Sequence, residues 1–234
     1  MDADFRATWN KIPFVTRYVT LAAGVLLVLS IFSPAMSLQF WRTPNAPAWQ
    51  VWRLVTAPLC YYGTAVGGII NLYMLATSVY ELETTVFMTR ARTAYYLVWV
   101  SLGFDLLGPR LSLYHYSAGL IGALAWTLAQ ENPHVQVTLL GFIPIPRRYF
   151  PLANVAMAVA STQSVEAAYE ALLGIVLAHS FMFFTEILPQ AGGPQYLAAT
   201  PRVLGALDAM EQNTRAREQF GTGHRLSQPR WKLF

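Results

Sequence analysis

The sequence predicts an all-α membrane protein: a bundle of six transmembrane helices with short spans, followed by a flexible cytosolic tail. Three observations carry this. Of the 234 residues, 55% are hydrophobic and only 12% charged, against roughly 25% charged in a soluble domain. Six apolar stretches punctuate the first 190 residues. The Lys and Arg residues fall unevenly on the connections between those stretches.

In chain order the stretches are Thr16–Phe32, Thr64–Tyr80, Thr93–Leu107, Ser112–Gln130, Tyr149–Ala160 and Tyr169–Ile187. The purely apolar part of the first, Val19–Phe32, is 14 residues. As a helix it reaches roughly 21 Å, short of a hydrocarbon core of about 30 Å, so either the span extends beyond these bounds or the bilayer around it is thin. The mixed-charge start "MDADFRATWNK" and the lack of a small-residue cleavage site argue that this first span is retained. The fifth stretch is equally short. It follows "GFIPIPRRYFP", whose prolines Pro144, Pro146 and Pro151 forbid a regular helix through that segment.

Six spans put both termini on one side. That side receives Arg6, Lys11, Arg17, Arg90, Arg92, Arg147, Arg148, Arg202, Arg215, Arg217, Arg225, Arg230 and Lys232, which is 13 of the 16 Lys and Arg. The other side receives Arg42, Arg53 and Arg110. Positive residues concentrate on the cytoplasmic side, so residues 1–190 read as a membrane domain with its N-terminus in the cytosol, and 191–234 as a cytosolic tail.

Several polar residues sit at membrane depth, where a charge costs about 2.5–3.5 kcal/mol and usually faces the bundle interior. Asn71 lies inside span two and Glu81 and Glu83 end it; His115 and Ser117 fall in span four; His179 falls in span six with Glu186 seven residues on. Asn71 can serve as a hydrogen bond to a neighbouring helix or as part of a polar cavity. Gly174 and Ala178 are spaced as small-xxx-small, which favours close helix packing. Ser117 and His179 raise a nucleophile–base pair, although acyl transfer also needs oxyanion donors. The loop "SPAMSLQFWRTPNAPAWQVWRLVTAPL" carries three tryptophans. It reads either as an interfacial aromatic belt or as a segment dipping into the outer leaflet, pinned by Trp52 and Arg53.

These stretches together resemble the derlin family within the rhomboid-like superfamily. "IPFVTRYVTL" is similar to the family's opening segment. "VWRLVT", holding Trp52 and Arg53, matches its tryptophan–arginine motif. "INLYMLATSVYELE" with "RTAYYL" resembles span two and the following loop. "QENPHVQVTLLGFIPIPRRYFPLANV" resembles the approach to span five, and "LLGIVLAHSFMFFTEILPQAGGPQYLAATPRVL" resembles span six and the tail's start. The resemblance implies a rhomboid-like bundle. The family's span-six motif is usually Gly-x-x-x-Gly, and here Ala178 takes the second place. The two arginines of "RRYFP" also depart from the family pattern.

Active rhomboids carry Gly-x-Ser-Gly in span four, where this chain reads "YHYSAGLIGALAW". In the rhomboid register that links Asn71 to Glu83, Ala118 rather than Ser117 falls at the nucleophile, and Gly67 stands where an oxyanion histidine is common. His179 matches the base. A base without its serine does no acyl transfer, so the resemblance implies a pseudoprotease. The alternative is a rhomboid serine protease using Ser117 and His179. A small-solute transporter finds no support, because paired broken helices are missing.

Derlins often end in an SHP box that binds the N-domain of the AAA ATPase valosin-containing protein. "FGTGHRL" fits it as Phe220, Gly221, Thr222, Gly223, His224, Arg225 and Leu226, with His224 where phenylalanine is usual. A short peptide of this kind can add along a sheet edge, with its glycines allowing close backbone approach. Ahead of it, residues 202–219 place Val203, Leu204, Leu207 and Met210 at helical spacing. This reads as a short amphipathic helix, either on the cytosolic leaflet or packed on the bundle.

The resemblance implies a multi-pass protein of the endoplasmic reticulum that aids export of misfolded proteins for degradation. Its implied partners are valosin-containing protein, a membrane ubiquitin ligase complex, misfolded protein substrates and the lipid bilayer, and a homo-oligomer is compatible with the fold. Cys60 is the single cysteine, so no internal disulfide forms. No metal, cofactor or nucleic-acid motif appears, and the basic residues follow topology rather than a phosphate-binding stripe.

Overall fold

Proline 13 starts the first helix, because its fixed φ suits a helix start and its missing N–H is not needed there. Helix α1 then runs Phe14–Phe32. The computed structural model describes residues 9, 11–41, 50–61, 63–139, 143–194, 200–201 and 204–209. After α1 come two short helices, α2 (Pro34–Phe40) and α3 (Arg53–Thr56). Helix α4 spans Ala65–Glu81, and Thr64 caps it by accepting from the Gly67 amide at 3.1 Å. Helix α5 covers Arg90–Leu107 and α6 covers Ser117–Glu131. Helices α7 (Phe150–Thr162) and α8 (Glu166–Met182) follow, and a short α9 (Leu188–Gln190) ends the bundle. A last helical segment occupies 204–209.

The six longer helices lie where hydropathy marked six stretches. Three are long and apolar enough to cross a membrane by length and composition: Phe14–Phe32, Ala65–Val86 and Glu166–Gln190. The others are shorter or carry more charge. Helix α6 starts at Ser117, not Ser112, so His115 lies in the preceding loop rather than inside a span. There its ring meets Trp41 edge-on, with centroids 4.2 Å apart.

Two features were not legible as periodicity. The proline-rich segment before α7 is a β-hairpin, β1 (Gln136–Leu139) antiparallel to β2 (Ile143–Pro146), with Gln136 opposite Pro146. In a two-stranded ribbon a proline's missing N–H can face solvent, so Pro144 and Pro146 are tolerated. Helices α4 and α8 also each end in a π-helical turn, Leu82–Val86 and Phe183–Ile187. Such turns are rare and concentrate at functional positions.

Helix α6 is the hub. Eleven of its fifteen residues are buried, the pattern of a helix surrounded on all sides. Phe181 of α8 anchors the aromatic part of the core, with centroids 5.1 Å from Tyr96, 5.5 Å from Tyr95 and 5.9 Å from Phe87. The Tyr96 and Thr127 hydroxyls, both fully buried, share a 2.8 Å hydrogen bond. That bond satisfies two polar groups that would otherwise cost stability.

Candidate functional site

The polar chemistry gathers at one end of the bundle, where α4 finishes. Glu81 is the last residue of α4 and Glu83 lies in its π-turn. Two residues along a helix are about 200° apart, so the carboxylates diverge. Glu83 is buried and turns toward α1, where it accepts from the Val15 amide at 3.0 Å, the Thr16 amide at 2.8 Å and the Thr16 hydroxyl at 2.8 Å. It thereby caps a helix 67 residues upstream and sits at the positive end of its dipole. Glu81 turns the other way and accepts two parallel bonds from Arg147, at 2.5 and 2.8 Å. Arg147 is buried just before α7, and Arg148 beside it is exposed and lies over the Tyr149 ring. Arg147 thus has a structural task that the sequence did not disclose.

The second π-turn repeats the device. Its Glu186 takes a charge-assisted bond from Arg92, in the first turn of α5. His179 meets Trp126 edge-on at 6.2 Å, on the exposed side of α8. Asp208, in the 204–209 segment, accepts from the Ala91 amide at 3.0 Å, and Leu204 packs against the core. Of the two readings of the tail's first segment, this part packs on the bundle; residues 210–219 lie outside the described residues. Together these contacts bring the starts of α1, α5 and α7 to the same end as the finishes of α4 and α8.

At the opposite end of α1, Arg53 is buried and its Nη1 donates to the carbonyls of Leu38, at 3.2 Å, and Trp41. Thr56 Oγ1 adds a 3.2 Å bond to the Phe40 carbonyl. The tryptophan–arginine motif therefore straps the loop after α2 through main-chain carbonyls, while Trp52 itself is 44% exposed. Residues 42–49 lie outside the described residues.

Gly119 of α6 and Gly174 of α8 meet at the seam between the two helices, and Ser117 and Ala118 precede Gly119 at the start of α6. Ser117 is buried at the first residue of α6 and makes no hydrogen bond to His179 among the described residues. The Ala118 carbonyl accepts from Asn154 Nδ2 at 3.5 Å. What the seam does is pack. A Cβ on Gly174 would fall 1.9 Å from the Gly119 carbonyl oxygen, and one on Gly122 would fall 2.7 Å from the Ala171 oxygen. Ala178 is fully buried in the same face. Only small residues permit this approach.

Asn71 is half-buried in α4 and makes no side-chain hydrogen bond among the described residues. An open apolar groove of about 910 Å³ runs between α1 and α4, and neither Asn71 nor His179 lines it. Asn71 belongs to α4 and His179 to α8. The glycine string Phe220, Gly221, Gly223, His224, Arg225 and Leu226 lies outside the described residues. Among the described residues no cluster of His, Cys, Asp or Glu could hold a metal ion.

The Der1-like family matches the chain over residues 12–202. To Derlin-1 of Oryza sativa subsp. japonica it is 27% identical over 197 residues, covering 81% of this chain and 79% of that protein. To Derlin-2.2 of Arabidopsis thaliana it is 26% identical over 228 residues, covering 90% and 91%. To the DER1-like family member protein 1 of Saccharomyces cerevisiae it is 27% identical over 161 residues, covering 62% and 47%.

Proposed function

The chain belongs to the Der1-like family, and from that premise we propose that it serves endoplasmic-reticulum-associated degradation as a non-catalytic, rhomboid-like membrane component that aids export of misfolded proteins to the cytosol. Both termini face the cytosol. The polar end built from Glu81, Glu83, Arg147, Arg92 and Glu186 is the cytosolic end, in line with the Lys and Arg distribution. Trp52 and Arg53 then hold the lumenal loop.

The observation that carries this reading is the shortness of α6 and α7, of 15 and 13 residues. They rise roughly 22 and 20 Å against a hydrocarbon core of about 30 Å. A bilayer that meets such helices has to thin locally, and a thinner bilayer shortens the costly path of a polar chain. The pull comes from valosin-containing protein, recruited by Phe220–Leu226, and a membrane ubiquitin ligase complex receives the exported chain.

No acyl transfer takes place. Ala118 stands at the nucleophile register, and the Ser117 hydroxyl makes no bond to the imidazole that would activate it. Tyr61 also fills the space at Gly67, where a Cβ would fall 2.2 Å from the phenol oxygen.

The test is a chase of a misfolded lumenal protein in cells that depend on this chain. Full-length chain should restore its turnover and co-purify with the ATPase from detergent. A chain ending at residue 209 should keep the fold and lose both. Unchanged turnover without the chain would defeat the proposal.

A further inference from the structure

The hairpin that precedes α7 has two unlike edges. The Arg147 amide donates to the Val135 carbonyl at 2.8 Å, and in the same register Val137 faces Ile145 and Leu139 faces Ile143. Hydrogen-bonded pairs of an antiparallel ladder recur at every second residue, so these three pairs hold the hairpin together. The main-chain groups of the residues between them point outward. On β2 those residues are Pro144 and Pro146, which have no N–H to offer. On β1 they are Gln136 and Thr138, each with an N–H and a C=O. No described residue bonds to these four groups. Sheet edges are ordinarily blunted by proline, lysine, a bulge or a covering segment. The β2 edge has its prolines; β1 has none of these devices among the described residues, and Gln136 and Thr138 are exposed.

The base of the hairpin is fixed. Glu81 clamps Arg147 through two bonds, and the Arg148 amide donates to the Pro133 carbonyl at 3.3 Å. Paired residues share a face. Val137, Ile143 and Ile145 make one face apolar, and Gln136 and Thr138 stand on the other. Ile143 is exposed, and Val137 and Ile145 are half-buried. A third strand along β1 therefore gains most if its side chains alternate, apolar beside Val137 and polar beside Gln136 and Thr138.

We propose that the outer edge of β1 takes up, as a third strand, an extended segment of an unfolded client chain. Main-chain bonds give such pairing its affinity, and they do not depend on the guest's sequence. A segment with alternating apolar residues and free ladder groups belongs to a chain that has not folded, because folding buries the first and pairs the second. A second copy of this chain is the poorer occupant. Two four-residue edges cover far less than the roughly 1,200 Å² of a stable interface. The open edge stands by itself; that its guest is an export client, met at the cytosolic end, rests on the function proposed above.

The full chain in detergent is titrated with a short fluorescent peptide of alternating valine and threonine, with lysine at each end, and binding is read by anisotropy. A twin peptide, N-methylated at every valine and threonine, keeps the side chains and loses those N–H donors. The expected result is saturable binding of the first peptide and none of the twin. Thr138→Pro removes one outward N–H, as Pro144 does across the ladder, and leaves the bonds to β2 in place. It should weaken the peptide about tenfold at an unchanged Tm. Thr138→Val, which keeps that N–H, should weaken it far less. Equal binding of the twin would overturn the inference, as would equal losses in the proline and valine variants or wild-type binding by Thr138→Pro. So would a dimer that Thr138→Pro dissolves, or displacement of the probe by a peptide of residues 214–234, since these assign the edge to a second copy or to the chain's own tail. In cells Thr138→Pro should slow turnover of the misfolded lumenal protein and keep the ATPase bound. If turnover needs the chain but is untouched by Thr138→Pro, this inference falls alone. If the peptide binds at the edge but turnover does not need the chain, the export reading falls and takes the client with it.

Discussion

Arg147 grips Glu81 through two parallel bonds of 2.5 and 2.8 Å, joining the entry to α7 with the finish of α4 across 66 residues of chain. The arginine side chain is 7% exposed and the carboxylate 30%, so one partner is desolvated and the other still touches water. A pair in that setting is worth more than a surface ion pair. Removing either member leaves the other in poor surroundings. We expect Arg147→Ala and Glu81→Ala each to destabilise the protein by about 2–3 kcal/mol. In thermal unfolding in detergent, the double variant should fall well short of the sum. Strict additivity would show that the two side chains do not act on each other.

The seam between α6 and α8 gives a sharper steric prediction. Gly174→Ala puts a methyl group 1.9 Å from the Gly119 carbonyl oxygen, so the helices must separate. The expected loss is about 1–3 kcal/mol from the strain alone, and Gly174→Val should prevent accumulation of folded protein. Gly205→Ala, where a Cβ meets nothing within 4 Å, is the control and should be neutral. Midpoints from size-exclusion thermal scans decide the matter, and a Gly174→Ala midpoint equal to wild type would refute the packing role.

For the loop strap, Arg53→Ala removes the donor that holds the Leu38 and Trp41 carbonyls. A lost charged hydrogen bond at a buried site costs about 1–3 kcal/mol. Stability and substrate turnover should fall together, while co-purification of the ATPase stays at the wild-type level. Loss of ATPase binding in this variant would mean that the Arg53 end of the bundle and the tail are not independent.

The proposed absence of proteolysis is checked directly. A fluorophosphonate active-site probe should leave the detergent-solubilised protein unlabelled, as expected for a buried Ser117 that lacks an activating imidazole. Labelling that disappears in Ser117→Ala would establish the protease reading instead.

The glycine string makes its own prediction. A peptide of residues 214–234 should bind the isolated N-domain of valosin-containing protein with modest affinity, because a short peptide loses conformational freedom on docking. Phe220→Ala, Gly221→Val and Gly223→Val should each abolish saturable binding in a fluorescence titration. His224→Phe should keep or strengthen it. Glycine variants that bind like wild type would reduce the string to ordinary tail.

Much of this architecture was legible in the sequence because hydropathy and small-residue spacing are local signals. They marked the six long helices and the close approach at Gly174. Arg53 was also readable as the pin of its loop, since residues 33–59 contain no Asp or Glu. What escaped was non-local. Arg147 looked like one more positive residue on the cytosolic side, because nothing near it in sequence names Glu81 as its partner. Glu83 read as the end of a span, and its capping of α1 depends on a fold that brings Val15 and Thr16 to it. The π-turns at Leu82–Val86 and Phe183–Ile187 have no composition signal. The β-hairpin hid behind prolines that are tolerated only because the ribbon has two strands and open edges.

Glu81 and Glu83 reach α7 and α1 from positions two residues apart. The finish of α4 is consequently a shared pivot. If α4 rolls about its axis to widen the gap on the α1 side, the same roll drags on Arg147, so the hairpin and α7 must follow or the ion pair must break. The bundle has fewer independent motions than it has helices. Any gate that opens beside α4 is geared to a matching movement on its far flank.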